Sequence, residues 1–306
     1  MNGLQPYDVI GDIHGHASKL WELLEQLGYK KQGGIYRHPS RQVLFLGDFI
    51  DRGPQQLAVL ETVRDMVENG QARSVMGNHE FNAIGWMSHD SQGRVLRQHS
   101  SKNYDQHKAF LDAVGEGSAA HREWIGWFKT LPLWMELPEL QIVHACWSPD
   151  AMECLDPLLD EGQRLKDAHL ATLFERGSAP YTAVEVLLKG PEVTLPDGHV
   201  FHDKDNHPRQ EARIKWWLDS GTLRDTALLP ASIAAQLPEH CMQAELSLYP
   251  NGAKPTFIGH YWMRGKPLPL NHNTACLDFS VAKDGQLVAY RFDGEKRLRD
   301  DKFVAV

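Results

Sequence analysis

Over the first eighty residues, short apolar runs alternate with stretches of helical periodicity. An apolar run at residues 7–10 ends in Gly11-Asp12, and Leu20, Leu23, Leu24 and Leu27 then recur with helical spacing until Gly28. That order predicts a strand followed by a helix. Residues 43–46, Val-Leu-Phe-Leu, are apolar without alternation, as in a strand buried on both faces. Pro54 suits a first helical position. Leu57, Leu60 and Val67 then mark one helix face, and Gly70 ends it. Residues 74–76 predict a third strand, followed by Gly77-Asn78-His79-Glu80. Strand, polar loop and helix, repeated in this way, form the βαβ pattern of a sheet with a parallel portion. Each polar loop follows a strand, where open α/β sheets place their ligands.

The remainder is less regular. Residues 81–135 read as mainly helical and carry Trp86, Trp124, Trp127 and Trp134. Residues 141–143 predict a strand ending at His144, and 256–258 another ending at Gly259-His260. Between them, residues 192–201 read as a hairpin turning at Pro196-Asp197-Gly198. Arg213, Trp216 and Trp217 are placed on one amphipathic helix. Residues 275–279 and 287–292 flank Lys283-Asp284-Gly285 as a closing β-hairpin. With no internal repeat or long linker, the chain reads as one domain over 1–306. It carries an insertion at about 150–245, either a cap over the site or an interface.

Composition narrows the partners. The formal charge of −8 on 306 residues gives no electrostatic help for binding long nucleic acids, so nucleic acid is not expected. The four cysteines, Cys146, Cys154, Cys241 and Cys276, form no CxxC pair, which indicates neither a zinc ribbon nor a redox motif and suits a reducing compartment. The N-terminus lacks a basic start followed by a long apolar segment, and no apolar run reaches the ~18 residues of a membrane span. A cytoplasmic location without membrane contact is therefore expected. Oligomeric state gets no reading.

The polar residues at the strand ends are Asp12 and His14, Asp48, Asn78 and His79, His144, and His260. This mix of oxygen and imidazole donors suits divalent Mn, Fe, Zn or Co, with manganese the leading expectation. Asp48 could bridge two such ions, and metals ~3.5–4 Å apart can clamp a phosphoryl group and activate a water. Singly, an Asp-x-His after a strand is more often turn chemistry, and a lone histidine more often a hydrogen-bonded core residue. The recurrence at five strand ends, four of them with glycine for close backbone approach, points to a site instead.

GDIHG (11–15), GDFIDRG (47–53), GNHE (77–80), the strand-end His144 and Gly259-His260 resemble the calcineurin-like metallophosphoesterases, and more narrowly their phosphoprotein-phosphatase branch. The resemblance implies an α/β (α+β) fold, a four-layer αββα sandwich of two mixed β-sheets flanked by helices. It also implies that Asp12, His14 and Asp48 hold one metal, and Asp48, Asn78, His144 and His260 a second. A hydroxide activated by this dinuclear centre attacks phosphorus in line, His79 protonates the leaving oxygen, Asp51 orients His79, and Arg52 grips phosphate. A further phosphate-binding cation is expected from the insertion, with Lys189, Arg209 and Arg213 as candidates. Tyr261 is placed near substrate or in packing.

The sequence departs from the branch at Met76, where an arginine is common, and at Ala145-Cys146, where two glycines are common. Both bear on substrate choice. The expected activity is hydrolysis of phosphomonoesters on a phosphorylated protein, peptide or small molecule. The alternatives are symmetrical dinucleoside polyphosphate hydrolysis and a non-catalytic interaction module on the same fold.

Overall fold

Successive residues of a strand point to opposite faces of its sheet, and here that alternation sorts the apolar side chains into two layers. Val43 and Phe45 join one buried cluster, while Leu44 and Leu46 join another. The same division separates Ile10 from Val9, Val143 from Ile142, and Ile258 from Phe257. The computed structural model describes residues 5–196, 199–202, 208–218, 221–237 and 254–306.

Two mixed sheets result. The first runs, in spatial order, Asp278–Phe279, Gln286–Phe292, Tyr7–Ile10, Gln42–Phe45 and Ala72–Ser74, with Phe303–Ala305 also paired to Gln286–Phe292. Its last three strands are mutually parallel, with Tyr7 opposite Gln42 and Val43 opposite Ala72. The second sheet runs Thr274–Cys276, Thr256–Ile258, Gln141–Val143 and Trp134–Glu136, and only the last pairing is antiparallel. Val9, Leu44, Ile142, Phe257, Ala275 and Tyr290 meet between the sheets. Helices Ala17–Gln26 and Gln56–Glu68 bury Leu20, Leu24, Val59 and Val63 in the cluster on the outer face of the first sheet. Helices Pro149–Leu155 and Ala179–Lys189 pack together beyond the second sheet and bury Leu155, Leu187 and Leu188. The four-layer sandwich is thus present.

Several elements differ from expectation. The second helix begins at Gln56, with Gln55 at the N-cap position, so Pro54 lies before it. The third strand is Ala72–Ser74 rather than 74–76. Residues 192–201 do not close on themselves: Glu192–Thr194 pairs with Glu211–Arg213, and Phe201–His202 with Pro208–Arg209. The expected turn residues Asp197 and Gly198 lie outside the described residues, as does Cys241. Arg213 ends a strand, and Trp216 and Trp217 follow in a turn rather than on a helix. Residues 275–279 divide between the sheets, and only Asp278–Phe279 pairs with the long strand Gln286–Phe292. Among the described residues no helix is long and apolar enough to cross a membrane.

Phe257 is fully buried between the sheets, with its ring centroid 5.0 Å from that of Tyr290 and 6.0 Å from that of Phe292. Phe257→Ala is expected to cost about 3–5 kcal/mol, because the flanking sheets collapse only partly into the space. Urea unfolding measures this; a loss below about 1 kcal/mol would show that the inter-sheet core tolerates a void there.

Candidate active site

The parallel strands of both sheets end at one edge, where their loops are tied to each other by short contacts. His144 Nδ1 donates to the Leu46 carbonyl at 2.7 Å, linking the second sheet to the first. The His260 amide donates to Asp12 Oδ2 at 3.0 Å, and the Gly259 amide to the His144 carbonyl at 2.8 Å. Two glycines permit this approach. A Cβ on Gly259 would lie 2.0 Å from Asp12 Oδ1, and one on Gly77 2.2 Å from Asp48 Oδ1. His14, Asp48, Asp51, Arg52, His260 and Trp262 all hold positive φ, six of the nine such non-glycine residues described. Sparse backbone conformations of this kind cluster at functional sites.

Asp48 stands at the centre. Its Oδ2 lies 3.5 Å from His14 Nε2, 3.4 Å from His144 Nε2 and 3.9 Å from His79 Nε2. Its Oδ1 accepts from the His79 amide at 3.0 Å, in the first turn of helix Asn78–Met87. A helix N-terminus favours such an anion. The Asp48 loop is clamped by the buried Glu80, whose Oε2 accepts from the Asp48 and Gly77 amides at 2.8 and 3.0 Å and whose Oε1 accepts from the Phe49 amide at 2.8 Å. Burial raises the Glu80 pKa to about 7, helped by the Asp48 charge and opposed by these amides.

The donors form two groups that share Asp48. Ligating atoms of His14, Asp48 and His79 lie within 4.8 Å of one another, and so do those of Asp48, His144 and His260. His79 thus sits inside the first group, although expected only as an acid. Asn78 Oδ1 contacts His144 Nε2 at 3.1 Å. Burial first, and then the neighbouring His79, pushes the His14 pKa down to about 4. Burial and the Arg213 charge lower that of His260 as well. A metal ligand must be a neutral imidazole, so both shifts favour binding. Burial disfavours charge on His144, but Asp48 outweighs it and raises that pKa to about 10. Asp12 Oδ1 and His260 Nε2 are buried with no protein partner. Orphaned acceptors are costly in a low dielectric, and a cation would satisfy both. The donor set therefore fits divalent metal ions.

Beside this centre His79 Nδ1 lies 2.5 Å from Asp51 Oδ2. Burial opposes charge on His79, while the Asp48 and Asp51 carboxylates raise its pKa above the ordinary histidine value. Arg52 is exposed, with its guanidinium carbon 5.6 Å from the centre of the Trp262 ring. Lys189 and Arg213 lie near enough for their charges to act on His260. Each has an acidic neighbour: Lys189 Nζ is 2.5 Å from Glu185 Oε1, and Arg213 Nε is 3.8 Å from Glu192 Oε1. Arg209 is exposed on its short strand. Tyr261 packs edge-on against Trp217 with centroids 5.0 Å apart, and Trp216 donates to the Ala145 carbonyl at 3.0 Å, so the tryptophan pair serves packing.

Three contributors carry no motif. Asp278 accepts from the Trp262 amide at 2.7 Å and fixes the loop after His260. Gln56 Oε1 accepts from the Asp51 amide at 2.7 Å. His107, on helix Ser101–Val114, places Nδ1 3.0 Å from Asp51 Oδ1. His107, Phe110, Leu111 and Val114 share a buried helical face, and a histidine inside that spacing was the available sign.

Residues 6–145 match the family described as Calcineurin-like phosphoesterase. The asymmetrical bis(5'-nucleosyl)-tetraphosphatase PrpE of Halalkalibacterium halodurans is 46% identical over 146 residues, covering 45% of this chain and 56% of that protein. Its counterpart from Oceanobacillus iheyensis is 30% identical over 139 residues, covering 45% of this chain and 54% of that protein. The chain therefore spans about half the length of the curated relatives it matches. A solved cold-active protein-tyrosine phosphatase from a psychrophilic Shewanella sp. aligns over 96% of this chain and 80% of its own, with a TM-score of 0.50 and 17% identity, a likeness of fold alone. The motif loops gathered at this edge include those of the matched stretch, and residues 6–145 of the chain are similar to the calcineurin-like phosphoesterases.

Proposed function

We propose that this protein hydrolyses phosphomonoesters with the aid of two divalent cations. The observation that carries this reading is the buried Asp48 carboxylate, shared by two donor groups and adjoined by the His79–Asp51 pair. Asp12, His14 and Asp48 would hold one cation, and Asp48, Asn78, His144 and His260 the other. Two bound divalent ions, manganese first among Mn, Fe, Zn and Co, supply Lewis-acid charge to phosphoryl oxygens and lower the pKa of water.

The chain's own residues do the rest. Asp48 offers Oδ2 to both donor groups while its Oδ1 stays bound to the His79 amide. His79 donates its Nδ1 proton in a hydrogen bond to Asp51 Oδ2, leaving Nε2 to protonate the leaving oxygen. Arg52 is exposed and presents a planar fork suited to phosphoryl oxygens. The described residues between 190 and 237 enclose a small apolar core of their own, with Leu195, Ala212, Ile214, Leu223 and Leu237. We read the chain as one domain in which this segment caps the site.

The charge balance favours a phosphorylated protein, peptide or small monoester. Glu185 and Glu192 offset Lys189 and Arg213, leaving Arg52 to meet one phosphoryl group rather than a long anionic chain. A second reading, hydrolysis of a dinucleoside polyphosphate, is favoured by the relatives, which are named as asymmetrical rather than symmetrical tetraphosphatases. The Trp262 ring, flanked by Arg52 and Lys283 and 6.1 Å from His14, supports it as a face for a base.

Asp48→Asn is expected to drop bound metal below two ions per chain by elemental analysis; retention of two would remove Asp48 from the bridge. His79→Asn is expected to keep both ions and lower kcat by ~100-fold or more, the scale of a lost general acid. Loss of an ion in that variant would make His79 a ligand instead. Manganese-loaded protein is expected to show a higher kcat/KM on a phosphoserine or phosphotyrosine peptide than on diadenosine tetraphosphate. The reverse order, with ATP and AMP as products, would establish the second reading.

A further inference from the structure

We infer that His107 is a positioning residue, holding the Asp51 carboxylate so that its far oxygen meets His79 in the orientation proton transfer requires. The inference rests on the reading of His79 as the acid.

Asp51 is gripped from three directions. His79 Nδ1 lies 2.5 Å from Oδ2, His107 Nδ1 lies 3.0 Å from Oδ1, and the backbone amide donates to Gln56 Oε1 at 2.7 Å. An ionised carboxylate only accepts, so each imidazole places a proton on its Nδ1. Burial works against the charge on Asp51, but His107 and then His79 hold its carboxyl well below the ordinary range. Gln56 fixes the backbone, held in turn by its own bond to the Gly53 carbonyl at 2.6 Å. It leaves the side-chain torsions of Asp51 open. His107 settles them from a separate helix.

Packing alone does not account for a histidine at this position. His107 is 4% exposed, with its ring centroid 5.1 Å from that of Phe110 and 5.9 Å from that of Trp86. Its Nε2 is buried without a protein partner. A phenylalanine or leucine would fill this aromatic pocket without stranding a polar nitrogen. The compensating contact is the one made by Nδ1 to Asp51. Helix Ser101–Val114 lies outside every motif loop, so this contact couples the helical layer to the acid.

Leaving-group dependence separates positioning of an acid from general support of the fold. 2,4-Dinitrophenolate departs without protonation, whereas an alkoxide does not. His107→Phe keeps a ring in the pocket and removes the donor. With two metals still bound, it is expected to lower kcat on phosphoserine by ~10-fold, leave 2,4-dinitrophenyl phosphate within ~2-fold, and barely move KM for either. His107→Asn, whose amide can donate where Nδ1 stood, is expected to recover most of the phosphoserine rate. If the phenylalanine variant does not fold, His107→Met, an adaptable apolar filler without a strong donor, provides the same comparison. Equal losses on both substrates, or none, would overturn the inference. His79→Asn serves as the reference. If it is leaving-group dependent and the His107 variants are not, only the role of His107 falls; if it shows no such dependence, the acid reading falls and this inference with it.

Discussion

A carboxylate taken wholly inside a protein gives up hydration that nearby dipoles return only in part, so its place has to be enforced by the surroundings. Asp48 is in that situation. It is buried where the edges of two sheets meet, on a backbone with φ of +53°, a conformation that aspartate adopts more readily than most residues but still seldom. Its backbone is held by Glu80, one of its oxygens by a helix N-terminus, and the other is faced by three imidazoles. Burial alone would raise its pKa; His144, His79 and His14 together hold it well below the usual carboxylate value. The rest of the site is arranged around this one oxygen pair.

That arrangement explains why the fold needs both sheets. Asp12, Asp48 and Asn78 follow strands or turns of the first sheet, while His144 and His260 follow strands of the second. Neither sheet alone supplies both donor groups. The inter-sheet core of Leu44, Ile142, Phe257 and Tyr290 therefore has a chemical consequence, since it sets how closely the two loop edges approach. The bond from His144 to the Leu46 carbonyl transmits that spacing directly to an imidazole, and fixes which ring nitrogen faces Asp48.

The strand ends were legible because their chemistry is local. Glycine, carboxylate and histidine directly after an apolar run state both a turn and a donor, and the five loops came together as expected. Glycines 77 and 259 show why the pattern is readable: any side chain there would collide with a carboxylate that belongs to the site. The region between 190 and 237 was not legible, because its order depends on pairings between distant short segments. Glu192–Thr194 finds Glu211–Arg213 rather than its near neighbour, and a turn dipeptide carries no information about that choice. Arg213 was anticipated as a cation near the site but on the wrong element, because two adjacent tryptophans suggested a helical face. His107 carried no motif because its partner is fifty-six positions away.

The raised pKa of His79 illustrates how much the site depends on contacts that sequence spacing cannot express. Burial by itself would leave this imidazole neutral, and the nearby Arg52 charge pushes the same way. Two carboxylates reverse that, and they differ in kind. Asp48 acts across 3.9 Å and is also committed to the donor groups, so cations arriving there would weaken its pull on His79. Asp51 makes the direct 2.5 Å contact and belongs to neither group. In the proposed reaction the His79 acid would therefore depend most on Asp51 once cations occupied the donor groups. Asp51 is held from helices Gln56–Glu68 and Ser101–Val114, its amide by Gln56 and its carboxylate by His107. The donor groups and the His79–Asp51 pair thus share a loop, residues 47–53, while being braced by different side chains, Glu80 at Asp48 and Gln56 with His107 at Asp51.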